Sequence, residues 1–367
     1  MSLSAEEAEE PIEEAAPQPS DYVADVRFED LPLSEEVLAG IRERGYERPT
    51  PVQARCIEPA LKGRDLSVRS KTGTGKTAAF GIPLIETVEP RGQLPQAVVL
   101  APTRELANQV AEELAALGKH KSVRVLSIIG GASMQAQLDA LARGVDIVVG
   151  TPGRVLDHIR RGTLDLSQVK VRVLDEADEM LSMGFLEEVT SVLNACPEEA
   201  QTLLFSATLP EDLGRIVARY MKDPESILLS GDEFTVEGIE NRLYETRDDY
   251  PKPRNLLYLL EMEDPDSAII FCNTRDDTAL VTAVLNRHGL PAALLNSDLS
   301  QKEREKAMQR IKSGEIRFLV ATDLAARGID ISDLSHVVNY SLPEDPAVYM
   351  HRVGRTGRIG KKGTALS

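Results

Sequence analysis

The sequence predicts an α/β protein of two doubly wound, parallel-sheet lobes joined by a flexible linker and preceded by an acidic leader. Three observations carry this. Short, continuous apolar runs alternate with segments of helical periodicity, first between residues 66 and 205 and again between 268 and 340. Strands buried on both faces read this way, and their alternation with helices makes the sheet parallel. Between the two series, Ser230-Gly-Asp-Glu-Phe-Thr-Val-Glu-Gly238 breaks the pattern. The first series also opens with a strand, a glycine-bearing turn and a helix start. The expected units are a disordered leader over 1–20, a first lobe over 21–230, a linker over 231–243 and a second lobe over 244–367.

Composition narrows the class. A chain of 367 residues suggests two or three domains, and 42% hydrophobic content is enough for real cores. No apolar run approaches the roughly 18 residues of a membrane span. The N-terminus lacks a basic segment followed by an apolar one, so no signal peptide is expected. Cys56, Cys196 and Cys272 are far apart with no CxxC pattern, and read as reduced core thiols of a cytoplasmic protein. The net charge of −17 by itself argues against nucleic-acid binding. However, Glu6, Glu7, Glu9, Glu10, Glu13 and Glu14 sit in a leader without Lys or Arg, and Glu35-Glu36 and Glu112-Glu113 fall on helical stretches that read as exposed. A local basic groove can coexist with an acidic whole. The leader, Glu/Ala/Pro-rich, reads as a solubilising tail.

Order is expected from about Phe28. Ser34 can cap a helix whose apolar face includes Val37, Leu38 and Ile41. In Gly45-Tyr-Glu-Arg-Pro-Thr-Pro-Val-Gln53, Tyr46 offers a flat face and Gln53 an amide able to bond a purine edge bidentately. A capping turn with a core tyrosine is the competing reading. In Ser70-Lys-Thr-Gly-Thr-Gly-Lys-Thr77, between a strand and a helix, Gly73 and Gly75 let successive N–H groups turn inward on an anion. The helix N-terminus adds partial positive charge. Lys76 can reach β/γ-phosphates and Thr77 can ligate Mg²⁺. Ser70 stands where a phosphate loop usually has its first glycine, so the pattern is a variant; a solvated Gly/Thr turn is the alternative.

Strands are then expected over Ala97–Ala101, Val123–Ile129, Val145–Val149, Val171–Leu174 and Thr202–Phe205, with Leu106, Val110, Leu114 and Leu117 at helical spacing between. Asp175-Glu-Ala-Asp178 closes a central strand. Asp175 is placed to hold Mg²⁺, directly or through water, and Glu176 to orient or deprotonate a water. An acidic helix start is the bland alternative. Ser206-Ala-Thr208 offers two hydroxyls to Asp178, or simply a helix cap. The second series, Ala268–Cys272, Ala293–Leu295, Phe318–Ala321 and Val337–Tyr340, contains no second phosphate loop. Its His351-Arg-Val-Gly-Arg-Thr-Gly-Arg358 makes an anion site, either for a nucleic-acid backbone or for a triphosphate that Arg355 and Arg358 would touch as arginine fingers. The loop and carboxylates of the first lobe favour the triphosphate.

From Phe28 to its end the sequence resembles the DEAD-box RNA helicase family, with about a dozen motifs in order. Gly45–Gln53, including Tyr46 and Arg48, with Phe28 upstream, resembles the adenine-reading Q motif. Ser70–Thr77 resembles motif I, taking in Lys71, Thr72 and Thr74, and Asp175–Asp178 is motif II. Ser206–Thr208 is similar to motif III, and His351–Arg358 to motif VI; with Asp178 and His351 these imply coupling between lobes. Pro102-Thr103-Arg104, Gly130-Gly131, Thr151 with Arg154, Thr274-Arg275, Gln301 with Arg304, and Thr322 resemble motifs that hold the RNA sugar–phosphate backbone. Hydroxyls, arginines and glycine N–H groups suit that task. Gly328 and Asp330 resemble residues near the ATP ribose.

The resemblance implies RecA-like lobes, a monomeric core, ATP with Mg²⁺, and RNA-stimulated ATP hydrolysis that locally opens short duplexes with little sequence preference. An ATP-gated RNA clamp is the second reading, and DNA as substrate ranks third. Lys71 and Asn296 depart from the family's usual residues, and the second lobe is expected to continue beyond Ser367.

Overall fold

The structure, a computed structural model, describes residues 26–70, 74–90, 92–229, 239–246, 249–326, 334–357 and 363–367; the side chain of Gln301 lies outside that description. Lobe one opens with a 3-10 turn, Phe28–Asp30, then α1 (Glu35–Glu43) and α2 (Pro51–Leu61). There follow β1 (Leu66–Arg69), α3 (Lys76–Thr87), β2 (Ala97–Leu100), α4 (Arg104–Leu117), β3 (Val125–Ile128), α5 (Met134–Ala142), β4 (Ile147–Gly150), α6 (Pro152–Arg160), β5 (Val171–Leu174), α7 (Ala177–Ser182), α8 (Leu186–Asn194), β6 (Gln201–Ser206), α9 (Glu211–Tyr220) and β7 (Glu225–Leu228). Lobe two comprises β8 (Ile239–Arg242), α10 (Lys252–Glu263), β9 (Ala268–Phe271), α11 (Arg275–Arg287), β10 (Ala292–Leu295), α12 (Gln301–Lys312), β11 (Phe318–Ala321), α13 (Asp323–Ala326), β12 (His336–Asn339), α14 (Pro346–Val353) and β13 (Gly363–Leu366).

The strands form two sheets, ordered β3-β4-β2-β5-β6-β1-β7 and β10-β11-β9-β12-β13-β8. Neighbouring strands run parallel throughout. Helices cover both faces, so successive residues of a strand serve different cores. Val99, Val149 and Val173 join α2, α3 and α4 on one face, while Val98, Val148 and Leu174 join α6 and α8 on the other. This explains why strands such as β2 and β4 lack a polar face.

The register positions the chemistry. Arg69 lies opposite Ser206 and Leu174 opposite Leu204. The chain segments leaving β1, β5 and β6 therefore emerge together at the carboxyl edge, where doubly wound sheets hold ligands.

Several local expectations are corrected. Residues 239–242, expected in the linker, form β8, in register with β13. Only Ile239 of that strand is buried, so no apolar run announces it. Ser34 does not cap α1 with its side chain. Its N–H and hydroxyl both donate to Glu86 Oε2 at 2.9 Å, tying α1 to α3. Glu113 is not a solvated charge, because it accepts from Arg44 and Tyr46. All three cysteines are buried and free, and burial pushes each thiol up to about 12. Among the described residues no helix is long and apolar enough to cross a membrane.

Candidate active site

The phosphate loop ends at Gly75, whose φ of +90° is left-handed. The backbone there favours glycine, and a Cβ would lie 2.6 Å from Gln53 Nε2 and push that amide aside. Gln53 is buried: its Oε1 accepts from Thr50 N–H at 3.0 Å and its Nε2 donates to Gly75 O at 3.2 Å. Thr50 Oγ1 donates to Thr74 O at 2.9 Å. The segment that carries Gln53 is thus a capping turn braced against the loop. Ser70 Oγ and Thr74 Oγ1 share a hydrogen bond of 2.7 Å. Lys76, first residue of α3, is buried with its ammonium 3.4 Å from Ser70 O. Thr77, half-exposed, follows it. Lys71, Thr72 and Gly73 lie outside the described residues.

Asp175 follows β5 and is 2% exposed. Burial pushes its carboxyl up to about 6, with Lys76 pulling it down and Glu176 and Asp178 pushing it further up. Such a desolvated carboxylate gains from a cation. It fits Mg²⁺, which takes one or two carboxylates and completes its shell with phosphate oxygens and water. Glu176 has a left-handed backbone (φ 49°, ψ 51°), a conformation that costs a non-glycine residue about 1–2 kcal/mol. Asp178 Oδ2 accepts from both the N–H and the hydroxyl of Thr208 at 2.8 Å. Ser206 does not share that role, since its hydroxyl donates to Thr208 O.

Lobe two closes the site through α14. His351 pairs with Glu179 and lies 3.9 Å from Asp178. Burial alone would lower its pKa, but Glu179, Asp178 and Glu176 together hold it above the usual 6.5. Lys76, Glu176, Asp178, Glu179, Ala207, His351 and Arg355 line one pocket between the lobes. Arg358, Gly328 and Asp330 lie outside the described residues. Arg352, from the same motif, points the other way. It is 1% exposed, bridges Asp323 through Nε and Nη2 at 2.6 Å each, bonds Asn339, Ser341 O and Asn273, and stacks 5.0 Å over Phe271.

The residues expected at RNA divide into exposed groups and braces. Arg104 is exposed and packs over Gly130 and Gly131, where a Cβ on Gly131 (φ +80°) would lie 2.4 Å from its Nη1. Pro102 is buried, and Thr103 caps α4 by accepting from Leu106 N–H at 3.3 Å. Thr151 precedes α6, on which Arg154 is half-buried beside Met134. Thr274 caps α11, and exposed Arg275 pairs with Asp298 at 2.6 Å. Thr322 O accepts from Ala326 N–H at the start of α13. Arg304 instead spans the lobes, donating to Glu105 at 3.1 Å and to Ala325 O at 3.0 Å.

Phe28 is fully buried and belongs to a lobe-one core cluster. The Tyr46 hydroxyl donates to Glu113 at 2.7 Å, and Arg48 is exposed. Asn296 is buried; it donates to Thr278 Oγ1 and accepts from Asp298 N–H, an internal turn role. Sequence reasoning missed Glu179, Asp323 and Glu105 as partners. All three lie inside or beside recognised motifs, but only the fold pairs them.

Two parallel-sheet lobes, with a phosphate loop in the first and Arg355 and His351 lining the same pocket from the second, define a RecA-like helicase core. The chain belongs to the DEAD/DEAH box helicase family. The model described as DEAD/DEAH box helicase matches residues 50–216 and that described as helicase conserved C-terminal domain matches 251–360. The DEAD-box ATP-dependent RNA helicase CshA of Geobacillus kaustophilus is 47% identical over 340 residues, 93% of this chain and 73% of that protein. CshA of Bacillus cereus is 47% identical over 339 residues, 92% of this chain; the chain spans 64% of that relative's length.

Among solved structures, S. cerevisiae Dbp5 bound to RNA and ADP BeF3 is 34% identical with a TM-score of 0.85, covering 93% of this chain and 88% of that one. A point variant of Dbp5 bound to Nup159, Gle1, IP6 and ADP gives 0.66 at 32% identity, covering 91% and 88%.

Proposed function

We propose that this chain is an RNA-stimulated ATPase that binds RNA by its backbone and locally opens short duplexes. The observation that carries the reading is the shared pocket: Lys76, Glu176 and Asp178 from lobe one meet His351 and Arg355 from lobe two. A triphosphate held by the loop and Lys76 would place its γ-phosphate toward Glu176 and Arg355. Glu176 then orients the attacking water and takes its proton, while Arg355, with Arg358, stabilises the developing charge. Mg²⁺, when bound by Asp175 and the Thr77 hydroxyl, would neutralise phosphate charge. Gln53 and Tyr46 read the adenine. Thr208 and Asp178 pass closure from one lobe to the other.

RNA would lie across both lobes, on Arg104, the Gly130-Gly131 turn and Arg154 of the first and on the α11 and α12 starts of the second. Two ligands that each favour closure must tighten one another's binding. Phosphate contacts imply affinity that falls with salt and little sequence preference. The test is steady-state ATP turnover with and without single-stranded RNA at two salt concentrations. Strong stimulation that fades with salt supports the proposal; equal stimulation by DNA, or none by RNA, overturns it. The clamp reading draws on the polar contacts already joining the lobes, Arg304–Glu105 and His351–Glu179. Slow turnover with retained RNA and no duplex release would favour it.

A further inference from the structure

The described residues include only two exposed aromatic side chains, Tyr250 (42% exposed) and Tyr258 (51%). Both lie on one face of lobe two with Arg254 between them. The Arg254 guanidinium sits 4.6 Å from the Tyr250 ring centre and 5.6 Å from that of Tyr258, and its Nη2 donates to the Tyr258 hydroxyl at 3.0 Å. Met262, 63% exposed, continues the row by one helical turn. None of this serves the core, which α10 reaches through Leu256 and Leu260 on its opposite face. Exposed aromatics spaced four residues either side of an arginine, pre-ordered by it, form a ready stacking surface.

The row leads from the sheet edge that carries the motif residues. Lys252 lies 4.6 Å over the ring of Tyr340, which follows β12. Tyr340 in turn feels Asp277, and Asp277 accepts from the Thr274 hydroxyl at 2.7 Å at the start of α11. Charge also runs the right way: Lys252 and Arg254 occupy the first turn of α10, and Glu261 and Glu263 its last. Asp249, exposed beside Tyr250, keeps the cation excess small, so stacking rather than phosphate pairing dominates.

We propose that Tyr250, Arg254 and Tyr258 form an auxiliary site for single-stranded RNA leaving the cleft. Tyr250 precedes α10 and Tyr258 lies on it; both rings flank the Arg254 guanidinium, at 4.6 and 5.6 Å, so their centres are at most about 10 Å apart, room for two or three bases at about 3.4 Å per step. The site rests on the RNA-stimulated ATPase reading, and its test separates the two. ATPase activation would be titrated with oligouridylate strands of about 6 and about 20 nucleotides, the short one filling only the cleft. The wild-type chain should bind the long strand at least about ten-fold more tightly. Tyr250→Ala with Tyr258→Ala should remove that gain, at both low and moderate salt, and leave the short strand's half-activating concentration unchanged. An unchanged thermal midpoint would show that the variant folds. If length brings no gain, or the variant keeps it, the auxiliary site is overturned. If neither strand activates the wild-type chain, photo-crosslinking of the long strand decides the site, crosslinks at Tyr250 or Tyr258 retaining it and their absence overturning it, while the ATPase reading itself has failed.

Discussion

The two lobes share one sheet plan and use its carboxyl edge in opposite ways. In lobe one the edge keeps charge in reserve: Lys76 and Asp175 are buried side by side, and Asp175 is held near 6 by desolvation. In lobe two the equivalent edge is built on Arg352, whose guanidinium is bonded on every nitrogen to Asp323, Asn339, Asn273 and Ser341 O. The first arrangement waits for a ligand. The second fixes the angle of α14, so that His351 and Arg355 face across the cleft. Similar folds therefore divide reactivity from rigidity.

The sharpest way to break this contrast is to remove the reactive group of lobe one. Glu176→Gln should lower RNA-stimulated turnover by about 10²–10⁴-fold while leaving ATP and RNA binding within a few-fold, because only the proton acceptor is lost. Normal turnover would take Glu176 out of that role. In lobe two the largest effect should be on stability instead. Arg352→Met strips Asp323 of its partner and should cost about 3 kcal/mol, toward the low end for broken buried pairs because Asp323 is partly exposed. Arg352→Lys should recover little, as an ammonium cannot reproduce the two-pronged contact. Denaturant unfolding would show lobe two melting earlier and lobe one unmoved; a loss confined to turnover, with stability intact, would make Arg352 a reactive residue.

How far these roles can be read from sequence depends on what each residue's surroundings print locally. The central strands are legible because burial on both faces leaves continuous apolar runs such as Ala97–Leu100 and Ile147–Gly150. The edge strands β7 and β8 are not, since each buries a single residue. The phosphate loop is legible because glycine, lysine and threonine must fall at fixed spacing. Arg352 and Arg355, however, are the same residue type three positions apart in one motif, and nothing local says that one turns inward and the other outward. The helix phase set by Asp323, Asn273 and Asn339 decides that. Phe28 and Gln53 stand out in the sequence, but their contacts with the core and with Gly75 depend on tertiary packing.

A smaller effect should come from the outer bridge between the lobes. Arg304 and Glu105 are 17% exposed each and 3.1 Å apart, so the pair should favour closure by about 1 kcal/mol. Glu105→Arg and Arg304→Glu should each weaken ATP-dependent RNA affinity, and the double exchange should restore much of it. A double variant no better than the singles would mean that Arg304 acts by touching RNA directly.

The smallest effect is one of pH, and it tests whether the lobes meet through charge. In the closed arrangement His351 is buried against Glu179, Asp178 and Glu176, and its pKa is raised above 6.5 despite that burial. When the lobes part, the imidazole returns toward its ordinary value, so closing takes up a proton. A group raised on closure contributes fully below 6.5 and loses its contribution as pH rises through the closed-state value. ATP-dependent RNA affinity should therefore weaken a few-fold as pH climbs above 6.5, measured with a non-hydrolysable ATP analogue. Asp175, near 6, titrates in the opposite sense, because losing its proton favours a bound cation. The two are separable: His351→Gln should flatten the decline above 6.5 and leave any rise near 6 in place. An unaltered decline in His351→Gln would assign the pH dependence elsewhere and reduce His351 to packing.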